Sequence, residues 1–188
     1  MSRRAKILLA ILGSLVVLGV IAAFVVPRIY ASVMEDSAAE APSVSLEPEA
    51  STVEDASDLS GTWAVGEGSY AGYRLDEVLN GTDVTVTGRT DQVTGDLTID
   101  GLTLSAATIT VDMASIATDN GSRDEYFRNN ALETYQYPEA TFVLTEPVEA
   151  AAAPVAGETQ NLSVTGELTV HGVTQTVTAE LEAGLSGD

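Results

Sequence analysis

His171 is the only histidine in the chain, and there is no cysteine. Disulfides, thiolate chemistry and cysteine-based zinc sites are excluded. So are a three-histidine metal centre and a serine–histidine relay with a spare imidazole. Acid–base work would fall to carboxylates. Asp112 and Asp124 are the candidates for a hydrolytic base, but neither has a paired nucleophile or a metal cluster beside it. The run Asp-Asn-Gly-Ser-Arg-Asp over 119–124 has a superficial likeness to a calcium loop. It lacks the spacing of an EF-hand and holds Arg123 in its middle. Arg123-Asp124 reads first as an ion pair at a helix start, pinning a helix to a sheet. His171, next to Gly172, reads as a turn residue. The expectation is a chain without catalytic residues, metal or cofactor.

Charge narrows the partners. The chain of 188 residues has 8 Lys and Arg against 28 Asp and Glu, a net charge of −20. Arg3, Arg4, Lys6 and Arg28 all lie in the first 28 residues, which contain no acid. After them only Arg74, Arg89, Arg123 and Arg128 oppose the 28 carboxylates. Such a surface repels nucleic acid, whose binding depends on cations that release phosphate counterions.

Three segments must position whatever chemistry remains. Residues 1–28 read as a cytoplasmic tip and a membrane anchor. Ile7 to Val26 is an uncharged apolar run of 20 residues. A helix of that length rises ~30 Å, the thickness of the hydrocarbon core. The run exceeds the usual apolar core of a cleaved signal peptide. Three cations precede it and one follows. The positive-inside tendency then places the N-terminus in the cytoplasm and the remainder outside, as a single-pass protein of the cell membrane. Residues 29–58 are acidic, hold Pro42 and Pro48, and sustain no apolar period. They are expected to form a disordered tether.

From residue 59 to 188 apolar residues alternate with threonine, the period-2 signature of half-buried strands. Val84–Thr87, Leu97–Ile99, Thr108–Met113, Ala140–Thr145, Leu162–Val170 and Val173–Leu181 are such runs. Asn80-Gly81, Asp100-Gly101, Asn120-Gly121 and His171-Gly172 punctuate them as turns. The pattern predicts an all-β antiparallel meander, closed as a sandwich or barrel. One short helix interrupts it. Ser122 is placed as its N-cap, with Glu125 completing a capping box. Its face is Tyr126, Phe127, Ala131 and Leu132, and it must end before Pro138.

These residues resemble a known family. Gly61-Thr62-Trp63, Gly88-Arg89-Thr90, Val111-Asp112-Met113, Arg123-Asp124, Tyr137-Pro138-x-Ala140-x-Phe142 and Gly166-x-Leu168-Thr169-x-His171-Gly172-Val173-Thr174 follow in that order. From about Gly61 to Gly187 the chain is similar to the YceI family of lipocalin-like, polyisoprenoid-binding proteins. The resemblance implies an antiparallel barrel of about eight strands. It further implies an elongated apolar cavity for an isoprenoid or similar chain lipid. Ser69–Leu75 departs from the polar stretch that many members carry near the first strand. Members also continue further beyond the Gly-Val-Thr strand than this chain, which stops at Asp188. The expectation is an antiparallel lipocalin-like barrel, which would be left incomplete if the chain naturally ends there.

A small barrel is either filled by side chains or holds one ligand. Large fillers are scarce: one Trp and three Phe in the whole chain. The expected function is binding or carriage of a chain-like lipid, isoprenoid or quinone, on the non-cytoplasmic side. Its rival is a structural or adhesive envelope domain with a packed core. The expected pocket wall takes Tyr70, Tyr73 and Leu75 from the early strand region, Val86 from the next, and Phe127 from the helix. Ile109, Val111, Met113, Phe142, Leu144 and Leu168 complete it by parity. Arg74, Arg89, Arg123, Arg128 and His171 are the candidate headgroup contacts. The acidity of the domain favours a neutral quinone or prenol over a prenyl pyrophosphate. Three glycosylation sequons, at Asn80, Asn120 and Asn161, read as chance or as turn chemistry.

Overall fold

The computed structural model describes Ile29, Ser32 and residues 59–79, 81–155 and 158–185. The expected membrane span Ile7–Val26 lies outside the described residues, as does the tether apart from Ile29 and Ser32, both helical. Among the described residues no helix is long and apolar enough to cross a membrane.

The alternating runs form strands: β1 (Gly61–Ala64), β2 (Ala71–Leu79), β3 (Thr82–Thr90), β4 (Val93–Asp100), β5 (Thr103–Asp112), β6 (Glu139–Leu144), β7 (Val148–Glu149), β8 (Thr159–Val170) and β9 (Val173–Gly184). Seven make one antiparallel sheet in the order β1-β4-β5-β6-β8-β9, with β7 paired to β5. β2 and β3 form a separate two-stranded sheet. The outer part of that hairpin, Tyr73–Thr87, belongs to a different compact unit from the seven-stranded sheet. The expected barrel is therefore not closed among the described residues: no ladder joins β1 to β9. β1 has only four residues with which to make a seam.

Register puts the apolar residues on one face. Val93, Val111 and Ala140 lie in one row, and Gly95, Ile109, Phe142, Leu168 and Gln175 in the next. Leu162 pairs with Leu181 and Val164 with Ala179. The other face carries threonine and acid, as in the row Thr108, Val143, Glu167 and Thr176. A bulge breaks the alternation once. Thr98 pairs with Ala106 but Ile99 with Leu104, so Ser105 is the extra residue on β5. That residue turns Leu104 onto the same face as Ala107.

The helix, α1, spans Gly121–Tyr126 and continues as a π-helical turn over Phe127–Ala131. Its N-cap is Asn120 rather than Ser122: the Asn120 side chain accepts hydrogen bonds from the backbone N–H of Ser122 and Arg123. Asn is among the best capping residues because its carbonyl reaches these orphan donors. Asn120-Gly121 is thus a helix start, not a hairpin turn. Met113 does not extend β5 either. Asp112 caps a 3₁₀ turn over Met113–Ser115, its carboxylate accepting from Ala114 N at 2.9 Å. Arg123 pairs with Asp119 at 2.9 Å, not with Asp124. Asp124 is buried and accepts from the backbone N and the hydroxyl of Thr118, at 2.8 and 2.7 Å. The pin from helix to sheet side is this pair of bonds.

A second clasp joins the β8–β9 turn to the segment after the π turn. The described residues include two non-glycine positions with positive φ, Glu133 (46°) and His171 (52°), and they are bonded to each other. His171 Nε2 lies 3.1 Å from Glu133 Oε2. The Tyr137 ring meets the imidazole edge-on, with centroids 4.6 Å apart. Each left-handed residue costs about 1–3 kcal/mol, so the surroundings must hold it. Gly172, at φ 69°, lies under the Tyr137 ring, which a Cβ there would approach to 2.5 Å. We expect Gly172→Ala to lower stability by about 1–3 kcal/mol, measured by thermal or denaturant unfolding. An unchanged midpoint would mean that the clasp does not hold the turn.

Candidate apolar binding cleft

Strands from opposite ends of the sheet order face one cavity, so the sheet is curled. β1 contributes Trp63, β4 contributes Leu97 and Ile99, and β5 contributes Leu104. β7 and the segment after it add Val148, Ala150 and Pro154. β8 and β9 supply Gln160, Leu162, Leu181 and Ala183, and Leu59, Leu102 and Leu185 close the rim. The cavity volume is about 240 Å³.

The lining exists because of register and because of the bulge. Leu162 and Leu181 are cross-strand partners, so both project to the same side. Trp63 pairs with Leu97, and its indole N–H donates to Leu59 O at 3.0 Å, which fixes the ring at the mouth. Trp63 is nonetheless 46% exposed. Ser60 Oγ accepts from Gly101 N at 2.8 Å and ties the start of β1 to the β4–β5 turn. Gln160 is the one polar side chain in the lining. Its amide donates to Ala152 O at 3.1 Å, so its N–H is directed to the wall. Among the described residues no cation lines the cleft. Asp100, Glu149 and Glu182 interleave in sequence with the lining residues.

The residues expected from the sequence occupy other places. Ile109, Val111, Phe142, Leu144 and Leu168 share the apolar face with the cleft but stand nearer the other end of the sheet, all half-buried. Met113 is in the 3₁₀ turn and Phe127 in the π turn. Tyr70 precedes β2, 45% exposed, with the Arg89 guanidinium 4.6 Å above its ring. Tyr73, Arg74 and Leu75 lie on β2, and Val86 is buried on β3. None of these lines the cleft. Leu104 escaped parity because of the bulge at Ser105, and Val148 because β7 is two residues long. Leu162 and Leu181 carried the right signal, the same alternation as Leu168.

The charged candidates are also dispersed. Arg123 is engaged by Asp119, and Arg128 reaches Ile116 O at 3.5 Å. Arg89 forms a two-way backbone bridge with Ala117, both bonds 3.0 Å. His171 belongs to the Glu133 clasp. In that clasp the hydrogen bond from Tyr135 to Glu133, with the carboxylate charge, holds the Tyr135 hydroxyl above the ordinary tyrosine range. Asp112 and Asp124 are both occupied by local donors. Among the described residues no cluster of three His, Asp or Glu could hold a metal.

Filling the cleft tests whether it is open in solution. Ala183→Phe places a ring in the cavity. It should weaken binding of an apolar dye that fluoresces on burial, on the order of tenfold, while leaving the fold intact. Equal dye binding by both proteins would place the dye elsewhere.

A model of the YceI-like domain matches residues 45–187. The chain is 32% identical over 100 residues to the UPF0312 protein VPA0850 of Vibrio parahaemolyticus, covering 52% of this chain and 49% of that one. It is 35% identical over 81 residues to Protein YceI of Escherichia coli O157:H7, covering 43% and 38%. The chain thus spans half or less of the length of these relatives. Among solved structures it is similar to BcnA of Burkholderia cenocepacia, with a TM-score of 0.50 at 22% identity over 63% of this chain and 70% of that one. It is also similar to a polyisoprenoid binding domain from Saccharophagus degradans, with a TM-score of 0.46 at 22% identity over 67% and 64%. The family match covers most of the sequence, including every strand of the curled sheet, and the chain belongs to the YceI-like domain family.

Proposed function

We propose that the chain binds an uncharged chain-like lipid, a prenol or quinone, in the apolar cleft, and serves as its carrier or reservoir without catalysing a reaction. The Ile7–Val26 run anchors it in the cell membrane, with the sheet on the non-cytoplasmic side. One observation carries the reading: an open cleft lined by leucine, valine, alanine and one tryptophan, with a single amide and no cation. An apolar chain gains ~0.8 kcal/mol for each methylene buried there. A diphosphate gains nothing from such a wall, and the chain's net charge of −20 disfavours it. Family membership supports the lipid class, since the resemblance to polyisoprenoid-binding proteins covers the same strands. The arginines expected as headgroup contacts are not among the residues that line the cleft, which supports a neutral head as the better fit.

Titration with farnesol and with farnesyl pyrophosphate tests this, read by Trp63 fluorescence. Farnesol should bind more tightly, on the order of tenfold or more, and salt should narrow the gap by screening the repulsion. Tighter binding of the pyrophosphate would sink the neutral-lipid reading. Binding of neither would favour the structural or adhesive domain.

A further inference from the structure

The apolar face does not end at the cleft. Along β8 it runs from Leu162, in the cleft, to Leu168, a distance of ~20 Å at strand rise. Buried Val164 follows Leu162 on that face, and beyond it Phe142, which is not itself a lining residue of the cleft, interrupts the face. Its backbone pairs with Leu168, but its ring lies over Gly166, one row nearer the cleft. A Cβ on Gly166 would come within 2.4 Å of the ring, so only glycine leaves room for this seat. Gly166 is itself buried beneath the ring. Beyond it lie Ile109, Val111 and Leu168, half-buried on the same face.

We infer that Phe142, seated on Gly166, is the stop that sets how long a chain the cleft accepts. The inference rests on the lipid reading above. The cavity of about 240 Å³ is smaller than the ~300–1,000 Å³ typical of pockets for drug-sized ligands. It is larger than the ~150 Å³ engineered cavity that holds a benzene. The cleft therefore takes one end of a chain, and the ring bars further travel along β8. Removing the ring joins the cleft to the half of the face lined by Ile109, Val111 and Leu168.

The test is a chain-length series of geraniol, farnesol and geranylgeraniol, titrated into the full chain and into Phe142→Ala. In the natural protein affinity should rise with length and then stop improving. In Phe142→Ala the break should move by at least one prenol, and that prenol should gain on the order of tenfold. Phe142→Leu keeps most of the apolar volume and shifts the break less. It carries the test if the alanine variant fails to fold. Intact binding with the break unmoved in the folded variants overturns the stop alone. Absence of prenol binding in every protein overturns the stop and the lipid reading together.

Discussion

Twelve consecutive residue pairs between β8 and β9, without a shift, decide which side of the sheet each apolar residue takes. With β8 held by β6, a slip of one residue would send Val177, Ala179 and Leu181 of β9 to the threonine face. The His171-Gly172 turn sets that register, and it does so in a backbone conformation that only the glycine adopts freely. The strain at His171 is held by Glu133 and by Tyr137, which belong to the segment after the π turn. The register of the β8–β9 hairpin and the path of the segment after the π turn are thus fixed by one contact. The cleft follows from both, since two of its walls are β8 and β9.

The fully buried part of the apolar face is small. Among the described residues Ala107, Ala140, Val164 and Gly166 are its buried positions, while Leu97, Ile109, Phe142, Leu162, Leu168 and Leu181 on the same face are half-buried. A curled sheet with such residues inside either collapses on them or stays open. β4, β5 and β7 at one side and β9 at the other are held apart by the continuous ladder through β6 and β8. The cleft stays open, and its surface is almost wholly hydrocarbon. On the lipid reading proposed above, the excess acid acts on the choice of ligand, not on its affinity for the wall. Every neighbouring side chain in the lining strands that is not apolar is threonine, serine, glutamine, asparagine or an acid, apart from glycine. A charged headgroup would meet like charge at the mouth.

Much of the fold was legible in the sequence because threonine marks the exposed face so consistently. The six alternating runs all appear as strands, and the parity that grouped Ile109, Val111, Phe142, Leu144 and Leu168 on one face matches the register. The position of the cleft was not legible. It depends on the extra residue at Ser105, which brings Leu104 inward, and on Gly166, which lets the Phe142 ring cover the far side. Neither leaves a trace in a period-2 pattern. The helix cap moved from Ser122 to Asn120 for a local reason: two N–H groups converge on one amide oxygen. A capping box and an Asn-Gly turn are competing readings of the same residues, and the sequence alone does not rank them. β1 and β7 are too short to show any period.

The central claim is that the half-filled apolar face is where the lipid lies. Photolabelling of the full chain with a diazirine-bearing farnesol, followed by peptide mapping, tests it most directly. Labels should fall on β8 and β9 around Leu162 and Leu181 and on the peptide holding Trp63, and excess farnesol should suppress them. Labels confined to the β2–β3 hairpin or to the His171 turn, or labels that farnesol does not displace, would contradict it.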